Sequence, residues 1–326
     1  MTSLRVAMAA SAALLYAPPV LAADDCHLYR LTSIDMTLDN AGGVNVPMSV
    51  SGKDVNMLVD TGGIYSMLTD SFVSELGLRK ESLMRARFVM FGGKTINQFV
   101  SAKDIKLGKL SGSRTEFLVM PDGELPPGTG GTLAPDILNN YDVDFDFANA
   151  KFSLFSQDHC EGKVVYWADD YAIVDFRRDM SGHIQAPVKL DGEDVKVGID
   201  TGASRSFMSL ETAEDLFNFD LKSPQLKDLG QHSFGHAYKY PFKTLTFSGV
   251  TVNNPDIMLV SAHDSKIRQT ILGMGILRQL HVYFANREKK MYVSAASATR
   301  GAPPPAATAT APPAAAAPPA STTAAH

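Results

Sequence analysis

The chain repeats itself. The stretch "VPMSVSGKDVNMLVDTGGIYSML", residues 46–68, lies over "APVKLDGEDVKVGIDTGASRSFM", residues 186–208, at a constant spacing of 140 residues and without a gap. Pro47 falls on Pro187, Gly52 on Gly192, Asp54 on Asp194, Asp60 on Asp200 and Ser66 on Ser206. The correspondence resumes downstream. The run "FLVM" from Phe117 matches "IMLV" from Ile257, "TLAPDIL" from Thr132 resembles "ILGMGIL" from Ile271, and Phe147-Ala148-Asn149 resembles Phe284-Ala285-Asn286. A period this long exceeds any solenoid unit and reads as two copies of one domain. Duplicated lobes can bury faces against each other and bring equivalent loops to a pseudo-twofold axis, which is homodimer symmetry carried within one chain.

Each copy is dominated by short alternating apolar runs with turn residues between them. "VPMSVSGKDVNMLVD" reads as two strands turning at Ser51-Gly52-Lys53, and "APVKLDGEDVKVGID" as two strands turning at Asp191-Gly192-Glu193. The segments "FGGK" and "FGHA" suggest a second hairpin in each half. A short helix is expected after each Asp-Thr-Gly, over 70–78 and 209–217, with Asp70 and Ser209 as N-caps. The expected architecture is all-β, in two similar lobes.

In each copy a carboxylate ends an apolar strand just before Thr-Gly. Alone, Asp60 could simply start a turn. Under the pseudo-twofold, Asp60 and Asp200 can instead lie side by side. Two carboxylates about 3 Å apart do not both ionise readily and share one proton. The charged one can accept a proton from water while the protonated one polarises a carbonyl oxygen, which is general acid–base hydrolysis without a covalent intermediate. Gly62 and Gly202 allow the backbone to come close. Thr61 and Thr201 can bond across the interface, and Ser66 and Ser206 can bond nearby backbone.

This pattern resembles the aspartic proteases, specifically the retropepsin-like family. The resemblance rests on "LVDTGG", "GIDTGA" and the downstream "ILGMGIL", and covers nearly all of residues 28–294. It implies two closed β-lobes, an Asp60/Asp200 dyad supported by Thr61, Gly62, Thr201 and Gly202, and flap hairpins over an extended polypeptide substrate. The implied flap tips are Phe91-Gly92-Gly93 and Phe234-Gly235-His236. The sequence departs from the family pattern in three places. Ala134-Pro135 replaces the expected glycine in the first half, so the loop under Asp60 is expected to be distorted. Gly63 stands where Ala, Ser or Thr is usual. Neither flap has the tyrosine of pepsin-like enzymes. With Gly63 and Ala203 no hydroxyl stabilises the dyad's anion, so the expected optimum is less acidic than a gastric enzyme's.

The remaining signals concern location. Arg5 precedes an Ala-rich apolar run broken by Pro18 and Pro19, and Ala22-Ala23 fits a signal-peptidase site. A cleaved signal over 1–23 is expected rather than an anchor, with no membrane insertion afterwards. No lipobox-like stretch precedes Cys26. Cys26 and Cys160 are the two cysteines, and in an exported chain the expectation is a disulfide stapling the start of the first half to its end. Residues 295–326 are Pro/Ala-rich, with too few bulky apolar groups for a core. The expected lobes are then 24–160 and 161–294, in a bacterial periplasmic or secreted protein. A net charge of −5, a pI of about 5.9 and the lack of a dense basic run give no sign of nucleic acid. Arg79-Lys80 with Arg85 and Arg87 reads as a solvated face. The eight histidines are scattered, and no zinc spacing, nucleophile elbow or phosphate loop occurs, so neither metal nor cofactor is expected. The main expectation is a monomeric aspartic endopeptidase. The rivals are an active site formed between two chains, and a peptide-binding module that has lost catalysis.

Overall fold

The two-residue turns establish the first element of each lobe. Strand Val44–Val50 returns as Lys53–Val59, and Ile184–Leu190 returns as Glu193–Ile199. Both central turn residues have positive φ in each hairpin, Ser51 and Gly52 in one and Asp191 and Gly192 in the other. That is the backbone a tight hairpin needs to match strand twist. The alternating pattern buries Val46, Met48 and Val50 on one side, and Ala186, Val188 and Leu190 at the corresponding positions. The computed structural model describes residues 26–84, 87–90, 94–179, 182–218, 222–232, 235–262 and 269–296. The expected signal and the tail beyond residue 296 lie outside these.

Each half then forms the same crossing of strands. In the first, Thr129–Leu133 runs parallel to Lys53–Val59 and antiparallel to Met67–Thr69, which is itself parallel to Leu110–Met120. In the second, Thr270–Leu272 runs parallel to Glu193–Ile199 and antiparallel to Ser206–Ser209, which is parallel to Ile257–Ala262. In the first half the sheet curls back on itself where Ser49 pairs with Lys106. The molecule is therefore mostly β, in two barrel-like lobes.

Short helices follow, at Asp70–Glu75 and Leu210–Phe217. Ser209 caps the second through the Thr212 amide. The first is capped by Thr69, not Asp70, whose carboxylate falls in the first turn and bonds Lys80. The halves also differ where Pro255 interrupts the second copy. Leu110–Met120 is one long strand, whereas its counterpart is split into Val250–Asn253 and Ile257–Ala262.

A third, six-stranded sheet joins the halves. Its order is Arg30–Asp35, Lys151–Phe155, Asp142–Asp146, Leu280–Ala285, Lys290–Ala295 and Ala172–Asp175, three strands from each side of the expected division at residue 160. The central pair is antiparallel, with Phe145 opposite Val282. One face packs Phe145, Phe152 and Phe284 into the main core. The other is covered by the segment between the halves, where Val164 and Trp167 pack on Phe155, Tyr283 and Tyr292. The Cys26–Cys160 disulfide, with Cα atoms 5.0 Å apart, ties the chain before the first strand of this sheet to the chain after Lys151–Phe155. No helix among the described residues is long and apolar enough to cross a membrane.

Candidate active site

Asp60 and Asp200 sit just past the ends of two equivalent buried strands, each tied to the neighbouring parallel strand. The Asp60 amide donates to the Leu133 carbonyl at 2.9 Å and the Asp200 amide to Leu272 at 3.0 Å. The next residues clamp the two loops together. The Thr61 amide donates to Thr201 Oγ1 at 3.1 Å and the Thr201 amide to Thr61 Oγ1 at 3.0 Å. Each hydroxyl then donates onward, Thr61 to the Ile199 carbonyl and Thr201 to the Val59 carbonyl. Both threonines are buried, so this fully satisfied network holds the loops firmly.

The clamp explains both glycines. A Cβ on Gly62 would lie 2.2 Å from Asp200 Cγ, and one on Gly202 would lie 2.5 Å from Asp60 Oδ1. Each loop thus packs bare backbone against the other's carboxylate, leaving no room for a methyl group. The amides also serve the charge. Gly62 donates to Asp60 Oδ1, while both Gly202 and Ala203 donate to Asp200 Oδ1, at 2.8 and 3.1 Å.

The environment raises both acids. Asp60 is pushed up to about 7, first by desolvation and then by the neighbouring Asp200 charge. Asp200 is raised by desolvation, opposed by the Gly202 and Ala203 amides and by nearby His183. Burial and the closeness of the two carboxylates favour a proton shared by the pair over full ionisation.

The loop under Asp60 is not distorted by Ala134, contrary to expectation. Ser66 Oγ accepts from the Ala134 amide at 2.9 Å, just as Ser206 Oγ accepts from Gly273 at 3.0 Å. The second half adds two backbone bonds, Met274 to the Ala203 carbonyl and Gly275 to the Ser204 carbonyl. Pro135 has no amide to make the first of these. The Asp136 carboxylate substitutes, accepting from the Ser66 amide at 3.0 Å and its hydroxyl at 2.7 Å. A Cβ on Gly63 would approach that of Ala134 to 3.3 Å and Asp60 Oδ2 to 2.8 Å. Gly63 therefore makes room for the methyl that the first half carries at residue 134. Asp136 had no sequence signal of its own, because its role appears only once Pro135 is seen to lack a donor.

Of the flap positions, Phe91, Gly92, Gly93 and Phe234 lie outside the described residues. Their flanks form hairpins, Phe88–Val89 with Thr95–Ile96 and Lys227–His232 with Gly235–Lys239. Gly235 opens the returning strand, and His236 bonds Asp228 across the hairpin at 2.7 Å. No cluster that could hold a metal ion occurs among the described residues.

Two of the scattered histidines are buried. His159 bonds Asp142 at 2.5 Å and His281 bonds Asp144 at 2.6 Å, all four buried on the covered face of the six-stranded sheet. Tyr283 and Tyr166 donate to the same two carboxylates, and Trp167 stacks on His281 at 4.1 Å. Burial would lower His159, but its bond to Asp142 leaves it raised. The partners lie 17 and 137 residues apart, so no local spacing reveals them.

A duplicated β-lobe whose two Asp-Thr-Gly loops are clamped on a pseudo-twofold axis defines a bilobal, aspartic-protease-like protein. Among solved structures the chain is similar to basic 7S globulin from soybean, with a TM-score of 0.52 over 84% of this chain and 100% of that one. At 10% identity the likeness concerns the fold alone. A profile described as Aspartyl protease matches residues 46–132 and 186–276, one copy in each half. The chain belongs to this aspartyl protease family, in its retropepsin-like form. No curated protein matches it by sequence.

Proposed function

We propose that the protein is an exported aspartic endopeptidase with Asp60 and Asp200 as its dyad. The observation that carries this is the reciprocal Thr61–Thr201 clamp, which packs each loop's glycine against the other loop's aspartate. Asp200, with two amide donors, serves as the base that takes a proton from water attacking the scissile carbonyl carbon. Asp60 donates its proton to the carbonyl oxygen as the tetrahedral intermediate forms, and proton return to the leaving nitrogen completes hydrolysis. The substrate is an extended polypeptide lying beneath the flap hairpins. Both dyad partners come from one chain, which favours a monomer. The disulfide favours an oxidising compartment such as the periplasm or the cell exterior.

Turnover of casein between pH 3 and 7 tests the proposal. The wild type is expected to cleave, and Asp60→Asn and Asp200→Asn, made singly, are each expected to abolish cleavage. Substantial activity in either variant would point to pairing of like lobes between chains. Absence of cleavage by the folded wild type would leave a peptide-binding module.

A further inference from the structure

The two halves are most alike next to the dyad, and there they differ in one informative place. Residues 61–69 and 201–209 share the same burial pattern, position by position. Tyr65 in the first half corresponds to Arg205 in the second, and both side chains are exposed. Beyond Tyr65 the space toward the flap is filled. Phe88 packs on Tyr65 with ring centroids 4.9 Å apart, over a satellite core of Ile96, Leu118 and Met120. Beyond Arg205 the described residues leave the corresponding space open. A cavity of about 160 Å³ lies between the loop after Asp200 and the base of the flap hairpin, lined by Arg205, Ser206, Leu229, Lys239, Asp256 and Met258.

The charges of this cavity do not balance. Lys239 is paired with Asp256 at 2.6 Å. The hairpin's own acid, Asp228, is held by His236 and by the Gly230 amide. Arg205 has no ion pair among the described residues, which leaves one uncompensated guanidinium at the cavity wall. The apolar surfaces of Leu229 and Met258 can cover a methylene stem, and the guanidinium fork matches a carboxylate.

We infer that this cavity is a specificity subsite that takes an acidic side chain, Glu or Asp, of an extended peptide, and that Arg205 is its selecting residue. The substrate is then asymmetric about the cleaved bond, with an acidic residue toward the second half and apolar residues toward the aromatic wall of the first. The inference rests on the peptidase reading for the peptide nature of the ligand.

Paired peptides test it, with Glu or Gln placed at each position in turn along an extended octapeptide. Cleavage is measured with the full-length protein, and binding by fluorescence anisotropy with its Asp60→Asn variant. At one position Glu should be preferred over Gln by about tenfold, the size of one charge-assisted bond partly open to water. Arg205→Ala should bring that ratio close to one, and Arg205→Glu should favour Lys over Glu at the same position. Cleavage with no Glu preference, or with a preference that survives Arg205→Ala, overturns the subsite but not the peptidase. Absence of cleavage together with Arg205-dependent Glu preference in binding overturns the peptidase but keeps the subsite. Neither cleavage nor preferential binding overturns both.

Discussion

Burial raises both Asp60 and Asp200, and the neighbouring Asp200 charge raises Asp60 further. Below the raised Asp200 value both acids are protonated and no base remains. Above about 7 both are ionised and no acid remains. Because both shifts are upward from 3.8, both limbs of the pH profile of kcat/KM move toward neutrality. A bell whose alkaline limb lies near pH 7 is expected from initial rates on a peptide substrate, and a maximum below about pH 3 would contradict it. The neighbouring glycines give a second outcome. A Cβ on Gly273 would sit 2.5 Å from the Ala203 and Arg205 carbonyls, which are backbone and do not yield easily. Gly273→Ala should therefore displace the Asp200 loop and lower kcat about 100-fold, the scale of a misplacement of roughly 1 Å. Ala134→Gly meets no such contact and should cost under about 1 kcal/mol of stability by thermal melting.

At the scale of elements, the hairpins, the helices and the repeat were legible because their signals are local. Ser51-Gly52 and Asp191-Gly192 announce tight turns whatever surrounds them. Thr69 as the first helix cap was not legible, since Thr69, Asp70 and Ser71 all suit a helix start and only the observed bond to Phe72 separates them. The meeting of the two Asp-Thr-Gly loops was legible because two weak motifs stood in register. Asp136 and the buried histidines were not, because their partners are set by pairing between distant strands. The disulfide acts at this scale too. It closes a span of 134 residues and holds the chain at the edge strand Arg30–Asp35 against the end of the first half. The Cys26→Ser, Cys160→Ser double variant should lose about 2–4 kcal/mol in chemical denaturation. An unchanged midpoint would show that strand pairing alone secures this edge.

For the whole molecule, the six-stranded sheet joins the halves, and its covered face carries buried carboxylate–histidine pairs. His281 comes from the second half and Asp144 from the first, so their bond crosses between the copies. Removing one partner leaves the other buried without its counter-group. Asp144→Leu should cost about 3 kcal/mol and lower the melting temperature, and Asp144→Asn, which can still accept from Tyr166, should cost less. Equal melting temperatures for wild type and Asp144→Leu would remove this pair from any account of how the lobes are joined. The same sheet has a consequence in time. Its strands are drawn from near residue 30, from the middle of the chain and from residues 280–295, and its central pair cannot form without Leu280–Ala285. On the ribosome both Asp-Thr-Gly loops are made long before that strand emerges. A nascent or truncated chain that ends before this strand carries both acids yet lacks the sheet that joins its halves.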